Sequence, residues 1–223
     1  MTTVARYPVY VFDAYGTLFD VHAAVRKYAG EMGPDGAELS AIWRAKQLEY
    51  SWTRALCGQY RDFWALTEDA LDTAFAKVPS APRDMREALL DAYRTLDAYP
   101  EVIDVLTTLR QNGAKTAILS NGSPAMLEMA VHAARIGELL DDVVSVDPLE
   151  SYKPLPAVYE LVTTRFRVFA DRVSFQSSNR WDIAGASAFG FRTVWINRAG
   201  EPDEYFDLSP SVTLSTLTGL ERA

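Results

Sequence analysis

Residues 9–12 read VYVF, and residues 13–17, which follow directly, read DAYGT. Four β-branched or aromatic residues in succession predict a buried strand, and the glycine-containing turn ends that strand at Asp13. Further short apolar runs follow along the chain, and stretches with helical spacing separate them. These runs lie at residues 116–119, 143–146, 173–175 and 193–196. Strands that alternate with helices predict an α/β fold with a doubly wound, mostly parallel sheet.

The alternation stops between Phe19 and Tyr99, where the pattern is helical throughout. Apolar residues recur there at spacings of three and four. One such series is Ala41, Ala45, Leu48, Trp52 and Leu56, and another is Phe63, Leu66, Ala70 and Ala74. Ligands of doubly wound sheets bind at the carboxyl ends of the strands, so an insert that leaves the first strand there would cover the site. We predict an α/β core of residues 1–19 and 98–223, with an all-helical cap subdomain of residues 20–97.

Charge and composition restrict the partners and the location. The chain of 223 residues carries 22 Lys and Arg against 30 Asp and Glu, a formal net charge of −8. Nucleic acid and an anionic membrane surface would both repel this charge, so neither is expected as a partner. No stretch approaches the roughly 18 apolar residues of a membrane helix, and the N-terminal residues lack the pattern of a signal peptide. The single cysteine, Cys57, is predicted to be a small buried hydrophobe, and the expected location is the cytoplasm.

Polar side chains follow four of the predicted strands at the point where each strand ends. They are Asp13 and Thr17 after the first strand, Ser120 and Asn121 after the second, Lys153 after the third, and Ser177, Ser178, Asn179 and Asp182 after the fourth. Any one of them alone has a structural explanation, as a turn residue or a helix cap. Because the carboxyl ends of parallel strands meet at one edge of the sheet, the set as a whole predicts a nucleophile with its orienting shell.

Five segments resemble one known family, in the right order and over nearly the whole chain. They are FDAYGTLFD at residues 12–20, WRAKQLEY at 43–50, LSNG at 119–122, YKP at 152–154 and SSNRWD at 177–182. With these segments the chain resembles the haloacid dehalogenase superfamily, specifically its type II L-2-haloacid dehalogenases. The resemblance implies the fold of that superfamily, a Rossmann-like sheet with an inserted helical cap. It also implies hydrolysis of short L-2-haloalkanoic acids without a metal or other cofactor.

Tyr15 is the informative position within that superfamily. Phosphatases that share the fold have an Asp-x-Asp motif at the position of residues 13–15, and the second acid of that motif protonates the leaving alkoxide. A phenol, whose pKa is about 10, is a poor proton donor at neutral pH, whereas a halide needs no proton to leave. Asn179 stands where a second metal-binding acid would be expected, which leaves too little negative charge to favour a hard dication. Both departures point to carbon–halogen chemistry without a metal.

The resemblance implies a two-step mechanism. The Asp13 carboxylate attacks the α-carbon of the haloacid, expels the halide with inversion and forms an ester, and water then hydrolyses that ester to a D-2-hydroxy acid. Lys153, together with Thr17 and donors from the turn, would keep Asp13 ionised. Asp182, held by Ser177 and Asn179, is the candidate that orients or deprotonates the water.

The remaining roles also follow from the resemblance. Arg44, delivered from the cap, and Asn179 would receive the departing halide, because a spread, weakly hydrated cation suits a polarisable anion. Ser120 and Asn121 would hold the substrate carboxylate, and Tyr159 would lie in the shell around Lys153. Four further side chains would line the pocket: Tyr15, Leu48, Phe63 and Trp181. For Phe63 and Leu48, ordinary core packing is an equal alternative.

Two other functions remain open at this stage. One is a phosphatase of the same fold acting on a small ester, and the other is a non-catalytic member that binds a small anion or a protein. Gln176 stands where the family pattern has an apolar residue, and we expect its side chain to point away from the end of the sheet. The family resemblance also implies a homodimer.

Overall fold

The computed structural model describes residues 5–223, so the first four residues of the predicted core lie outside the described part. Six strands form one sheet in the order β3-β2-β1-β4-β5-β6, and neighbouring strands are all parallel. They are β1 (Val9–Phe12), β2 (Lys115–Ser120), β3 (Asp142–Ser145), β4 (Val173–Ser177), β5 (Arg192–Ile196) and β6 (Val212–Leu214). The predicted doubly wound α/β sheet is therefore confirmed, with a sixth strand that the sequence analysis did not predict.

The first strand lies in the centre of the sheet. It is buried along its whole length and pairs with β2 on one side and β4 on the other. At its last residue, Phe12 is in register with Ile118 of β2 and Gln176 of β4. An uninterrupted apolar strand is typical of a parallel sheet covered on both faces. Its central place brings Asp13 beside the ends of two other strands.

Nine α-helices connect and cover the strands in the described part of the chain. Five lie in the helical insert of residues 20–97: α1 (Ala23–Lys27), α2 (Ala29–Met32), α3 (Gly36–Cys57), α4 (Phe63–Lys77) and α5 (Arg86–Arg94). The others are α6 (Val102–Gln111), α7 (Pro124–Ala134), α8 (Pro156–Phe166) and α9 (Arg180–Phe189). None of these helices combines the length and the hydropathy that a membrane crossing requires.

The α3–α4 hairpin forms the centre of the helical insert. Gly58 ends α3 with a positive φ of 63°, a conformation in which a Cβ is strained, and Asp62 caps α4 by accepting the Ala65 amide at 3.1 Å. Along α4 the predicted apolar face is buried as expected. The turn between α3 and α4 thus lies where a glycine and a capping residue predict it.

The buried face of α3 differs from the prediction. The series Ala41, Ala45, Leu48, Trp52 and Leu56 is exposed or half-buried, and Leu56 is 86% exposed. The buried stripe is instead Leu39, Trp43, Gln47 and Ser51. It includes two polar residues because both are hydrogen-bonded, Gln47 to α4 and Ser51 to the Leu48 carbonyl. The Cys57 prediction is wrong as well, since Cys57 is exposed at the end of the same helix.

Two chain segments connect the insert to the sheet and run side by side. Phe19 and Ala98 form an antiparallel bridge, the Tyr99 amide donates to the Leu18 carbonyl at 2.9 Å, and the Asp20 amide donates to the Asp97 carbonyl at 3.1 Å. This pairing lies at the boundaries that the sequence analysis placed after residues 19 and 97. The division into core and cap stays an interpretation of that arrangement.

Candidate active site

The Asp13 carboxylate lies at the carboxyl end of β1 and is only 6% exposed. Lys153 Nζ donates to its Oδ1 at 3.1 Å. Its Oδ2 accepts from Asn179 Nδ2 at 2.8 Å, Thr17 Oγ1 at 3.2 Å and Ser177 Oγ at 3.4 Å. Hydrogen bonds to a carboxylate are strong, so this shell holds the Asp13 side chain in one orientation.

The turn after Asp13 orients the donors around its carboxylate. Gly16 has a φ of 95°, which an L side chain rarely adopts, and its amide donates to the Phe19 carbonyl at 2.7 Å. The Thr17 hydroxyl accepts the Ser178 amide at 2.8 Å while it donates to Asp13. The turn is thereby joined to the segment that follows β4.

A buried chain of charges continues from Asp13 to α8. Lys153, 1% exposed, also donates to Asp182 Oδ2 at 2.8 Å, and Tyr159 donates to Asp182 Oδ1 at 2.8 Å. Burial raises the pKa of Asp182, against the opposing charge of Lys153. Burial alone would lower the pKa of Lys153, but the charges of Asp13 and Asp182 outweigh it and raise that pKa. One ammonium therefore lies between two buried carboxylates.

The prediction that Ser177 and Asn179 hold Asp182 is wrong. Both side chains donate to Asp13, and Lys153 and Tyr159 hold Asp182. The reason is the strand order: β4 lies next to β1, so the residues at its end reach Asp13, whereas Asp182 is already in the first turn of α9.

The end of β2 contributes two residues with different contacts. Ser120 is fully buried, and its Oγ accepts the Gly122 amide at 3.1 Å, a role that leaves its own proton able to donate. The Asn121 side chain accepts the Lys153 backbone amide at 3.0 Å. Asn121 therefore holds the loop that carries Lys153.

Arg44 reaches this edge of the sheet from α3. Its Nη2 donates to the Tyr15 carbonyl at 3.2 Å and to Asn179 Oδ1 at 3.4 Å. A cavity of about 360 Å³ opens beside Arg44 and Asn179, with His22 and Trp181 also in its wall. The insert thus places the Arg44 guanidinium two hydrogen bonds away from Asp13, with Asn179 between them, beside a cavity that is open to solvent.

Tyr15 and Phe63 form a buried aromatic wall. The Tyr15 ring stacks on Tyr93 with centroids 5.6 Å apart and lies 6.4 Å from the Phe63 ring. Burial, together with the neighbouring Tyr93, raises the pKa of Tyr15 well above its usual value. A Cβ on Gly122 would come within 2.8 Å of the Tyr15 ring, so the strand-end backbone packs directly against it. Tyr15 is a neutral phenol at neutral pH.

The other two predicted lining residues have different surroundings. Trp181 is half-buried, lines the same cavity as Arg44, and packs edge-on against Trp52 with centroids 5.3 Å apart. Leu48 is half-buried on α3, beside the buried stripe and not in it. A lining role for Leu48 and Trp181 stays a prediction, as it does for Tyr15 and Phe63.

Two residues with direct contacts to the site were not predicted from the sequence. Gln47 accepts from Arg44 Nη1 at 2.7 Å, and Arg198, which also pairs with Glu101, donates to the Thr17 carbonyl at 3.0 Å. Arg198 follows β5, so the strand-end rule, extended to the fifth strand, would have found it. Gln47 has no such signal, because its burial depends on which face of α3 packs inward.

The buried charges do not suit a divalent metal ion. In residues 5–223 no three His, Cys, Asp or Glu side chains are grouped so that they could hold one. The Lys153 ammonium occupies the position between the two buried carboxylates. Tyr15 and Asn179 stand at the two positions where the family resemblance leads us to expect acids in a phosphatase.

Comparisons with known proteins point to one family. A family model described as haloacid dehalogenase-like hydrolase matches residues 7–190. The chain is 50% identical over 211 residues to (S)-2-haloacid dehalogenase 1 of Pseudomonas sp. (strain CBS-3), covering 94% of this chain and 93% of that protein.

Two solved structures are similar over almost the whole chain. One is a dehalogenase with an intermediate complex (TM-score 0.94, 44% identity, 97% of this chain and 96% of that one). The other is the L-2-haloacid dehalogenase of Xanthobacter autotrophicus with chloropropionic acid covalently bound (TM-score 0.89, 33% identity, 97% of each chain). These overlaps confirm the fold class expected from the resemblance.

Proposed function

The chain belongs to the haloacid dehalogenase-like hydrolases, and we propose that it converts short L-2-haloalkanoic acids to D-2-hydroxy acids by hydrolysis. An enzyme with this activity is an (S)-2-haloacid dehalogenase. The observation that carries the proposal is a buried carboxylate at the end of β1, surrounded by four donors, with a neutral phenol at position 15. That phenol cannot serve the acid step that a phosphatase needs.

In the first step Asp13 is the nucleophile. Its Oδ2 already accepts three hydrogen bonds and its Oδ1 only the one from Lys153, so Oδ1 retains a lone pair for attack. Oδ1 forms a bond to the α-carbon while the carbon–halogen bond breaks, and the halide leaves with the electron pair. In-line displacement inverts the centre and leaves an aspartyl ester.

Substrate is held from both sides of the site. Arg44 and Asn179 receive the halide, and Ser120, with the strand-end backbone at Asn121, binds the substrate carboxylate. Four side chains enclose the apolar part: Tyr15, Leu48, Phe63 and Trp181. The net charge of −8 does not oppose this anion, because Arg44 and Lys153 act at contact distance and screening hides charges beyond about 8 Å at physiological salt.

In the second step water attacks the ester carbonyl of Asp13, and Asp182 accepts a proton from that water. Lys153 and Tyr159 orient Asp182. The donors of Thr17 and Asn179 that bind Oδ2 in the resting enzyme face the oxyanion as it forms. The bond between Asp13 Cγ and Oδ1 then breaks, and Asp182 returns its proton to the departing alkoxide to give the 2-hydroxy acid. The second proton of the water is lost to solvent as the Asp13 carboxylate is regenerated, now with one oxygen from water.

The chemistry predicts halide release that needs no metal. Enzyme is incubated with L-2-chloropropionate and, separately, with a phosphate ester, each with chelator and with Mg²⁺. We expect chloride release at the same rate under both conditions, because a halide leaves without a proton or a dication. Phosphate release that depends on Mg²⁺, without chloride release, would contradict the proposal and favour the phosphatase.

The acid limb of the pH profile of kcat should reflect the ionisation of Asp182. Burial raises the pKa of Asp182 to about 6, against the charge of Lys153, while Asp13 adds to the rise and the Tyr159 hydroxyl lowers it. The water step needs the ionised form, so kcat should fall at acid pH, below about 6 because the esterified Asp13 no longer carries the charge that adds to the rise. Tyr159→Phe removes a donor to the ionised form and should move the limb up by roughly one pH unit.

The control for this profile is Tyr60→Phe, which takes a tyrosine hydroxyl from a different carboxylate, Asp147. Its acid limb should coincide with that of the wild type. A limb that stays in place or moves to lower pH in Tyr159→Phe would show that Asp182 is not the group reported.

The cellular location and the oligomeric state are two further proposals. We propose a cytoplasmic homodimer in which residues 20–97 act as the cap. A single cysteine is in keeping with a reducing compartment, and exposed apolar side chains such as Leu56, Phe169 and Phe206 offer surface for a second copy. Sedimentation at micromolar concentration tests the dimer directly.

A further inference from the structure

Gln47 is a buried amide beside the one cap residue assigned to the halide. It is 1% exposed, and its Oε1 accepts from Arg44 Nη1 at 2.7 Å. The two residues are three apart on α3, so they project from the same side of the helix. The other nitrogen of the guanidinium, Nη2, contacts Tyr15 and Asn179. Gln47 therefore holds Arg44 from the side opposite the active site.

The hydrogen bonds of Thr67 determine which way the Gln47 amide faces. The Thr67 hydroxyl donates its only proton to the Phe63 carbonyl at 2.7 Å, so toward Gln47 it can only accept. Gln47 Nε2 donates to it at 2.7 Å. With the nitrogen held on α4 in this way, the oxygen of the amide must face Arg44.

Tyr93 extends this network to the nucleophile loop. Its hydroxyl lies 3.1 Å from Gln47 Nε2 and 3.3 Å from Oε1, and its ring stacks on Tyr15. The void beside Arg44, Gln47 and Tyr93 has a volume of about 10 Å³, which is room for one water at most. On the Gln47 side the guanidinium consequently has no space into which to turn, and its open side is the cavity that it shares with Asn179.

We propose that Gln47 is a positioning residue that aims the Arg44 guanidinium at the departing halide, an inference that rests on the proposed function. Gln47 suits this task because its amide is neutral. It orients the cation without an opposing charge, so the full positive charge of Arg44 remains for the anion. A carboxylate in the same place would orient Arg44 equally well and cancel much of its field.

The test compares two substitutions of nearly constant size with a matched control. Gln47→Met removes the acceptor, and Gln47→Glu keeps the acceptor but adds a charge. Tyr50→Phe removes a different hydrogen bond between α3 and α4, the 2.8 Å contact with Thr73, and leaves Arg44 untouched. Circular dichroism and thermal unfolding identify any variant that fails to fold, and halide release is measured in single turnovers with L-2-chloro- and L-2-bromopropionate.

We expect halide release to slow about 10- to 100-fold in both Gln47 variants, the range typical of a lost contact to a charged group. The rate should fall more for L-2-chloropropionate, because chloride is the poorer leaving group. The bromide-to-chloride rate ratio should therefore rise. Tyr50→Phe should keep the wild-type ratio, because a purely structural change affects both substrates alike.

An unchanged ratio in a folded Gln47→Glu or Gln47→Met would overturn the assignment of Gln47 and leave the proposed function intact. An equal rise of the bromide-to-chloride rate ratio in Tyr50→Phe would also overturn it, since any loosening of the cap would then suffice. A wild-type enzyme that releases no halide would overturn the proposed function, and the role of Gln47 with it.

Discussion

Asp13→Asn is expected to lower kcat by at least about 10⁴-fold, the scale of loss when a catalytic nucleophile is removed. An amide has no charged oxygen to displace a halide, so no ester forms. The fold should persist, because asparagine has the same shape and Lys153 keeps its contact with Asp182 at 2.8 Å. The measurement is halide release by the variant, with circular dichroism and thermal unfolding to establish that it is folded.

An isotope experiment separates this role from its main alternative. In a single turnover in water enriched in heavy oxygen, the first product molecule should carry ordinary oxygen, since that atom comes from Asp13. Heavy oxygen in that first product would mean direct attack by water. Halide release at the wild-type rate by Asp13→Asn would place the nucleophile elsewhere.

Lys153→Met is expected to have the largest effect on stability. It leaves the buried carboxylates of Asp13 and Asp182 without the cation that each contacts. Removing one partner from a buried ionic cluster typically costs about 3–5 kcal/mol of unfolding free energy. Activity should also be lost, because Lys153 contacts both the nucleophile and the group that accepts the proton from water.

The loss of unfolding free energy in Lys153→Met should depend on pH, in a direction that the pKa of Asp182 determines. Burial already raises the pKa of Asp182 in the folded chain, and loss of Lys153 would raise it further. A carboxyl group that is easier to protonate in the folded state than in the unfolded state destabilises the fold as pH rises. Lys153→Met should therefore recover part of its stability below the raised pKa of Asp182 and lose it as pH rises through that value.

Denaturant unfolding at several pH values between 4 and 8 provides the measurement. Lys46→Met is the matched control, because it removes a lysine from a pair with Glu49 on the solvent side of α3. Exposed pairs contribute little, so this variant should unfold like the wild type at every pH. A Lys153→Met profile parallel to that of the wild type would mean that the carboxylates find other partners.

The location of the nucleophile could be predicted from local pattern alone. A buried apolar strand followed by Asp13 and a glycine turn specifies both the strand and its end, and a parallel sheet brings strand ends together whatever their order. For the same reason the residues after β1, β2 and β4 were found without knowledge of their contacts. The short edge strand β6, with half-buried residues among Ser and Thr, has no comparable signal.

Contacts between distant segments could not be predicted in this way. The helix over residues 36–57 is evident from its spacing, yet its buried face was misassigned and Cys57 is exposed. A polar residue such as Gln47 becomes a good core residue only when another helix offers a partner, here Thr67. Periodicity counts apolar residues and carries no information about such partners.

The sequence by itself determined the class of fold and the position of Asp13, whereas the kind of leaving group was indicated by the phenol at Tyr15 only in the light of the family resemblance. These follow from residue types and from neighbours along the chain, which set strand ends and side-chain chemistry. The tertiary structure alone decided that Ser177 and Asn179 donate to Asp13 and that Lys153 and Tyr159 hold Asp182. Hydrogen bonds act over about 3 Å, so their pairing is settled by the order of the strands and the direction in which each side chain leaves them.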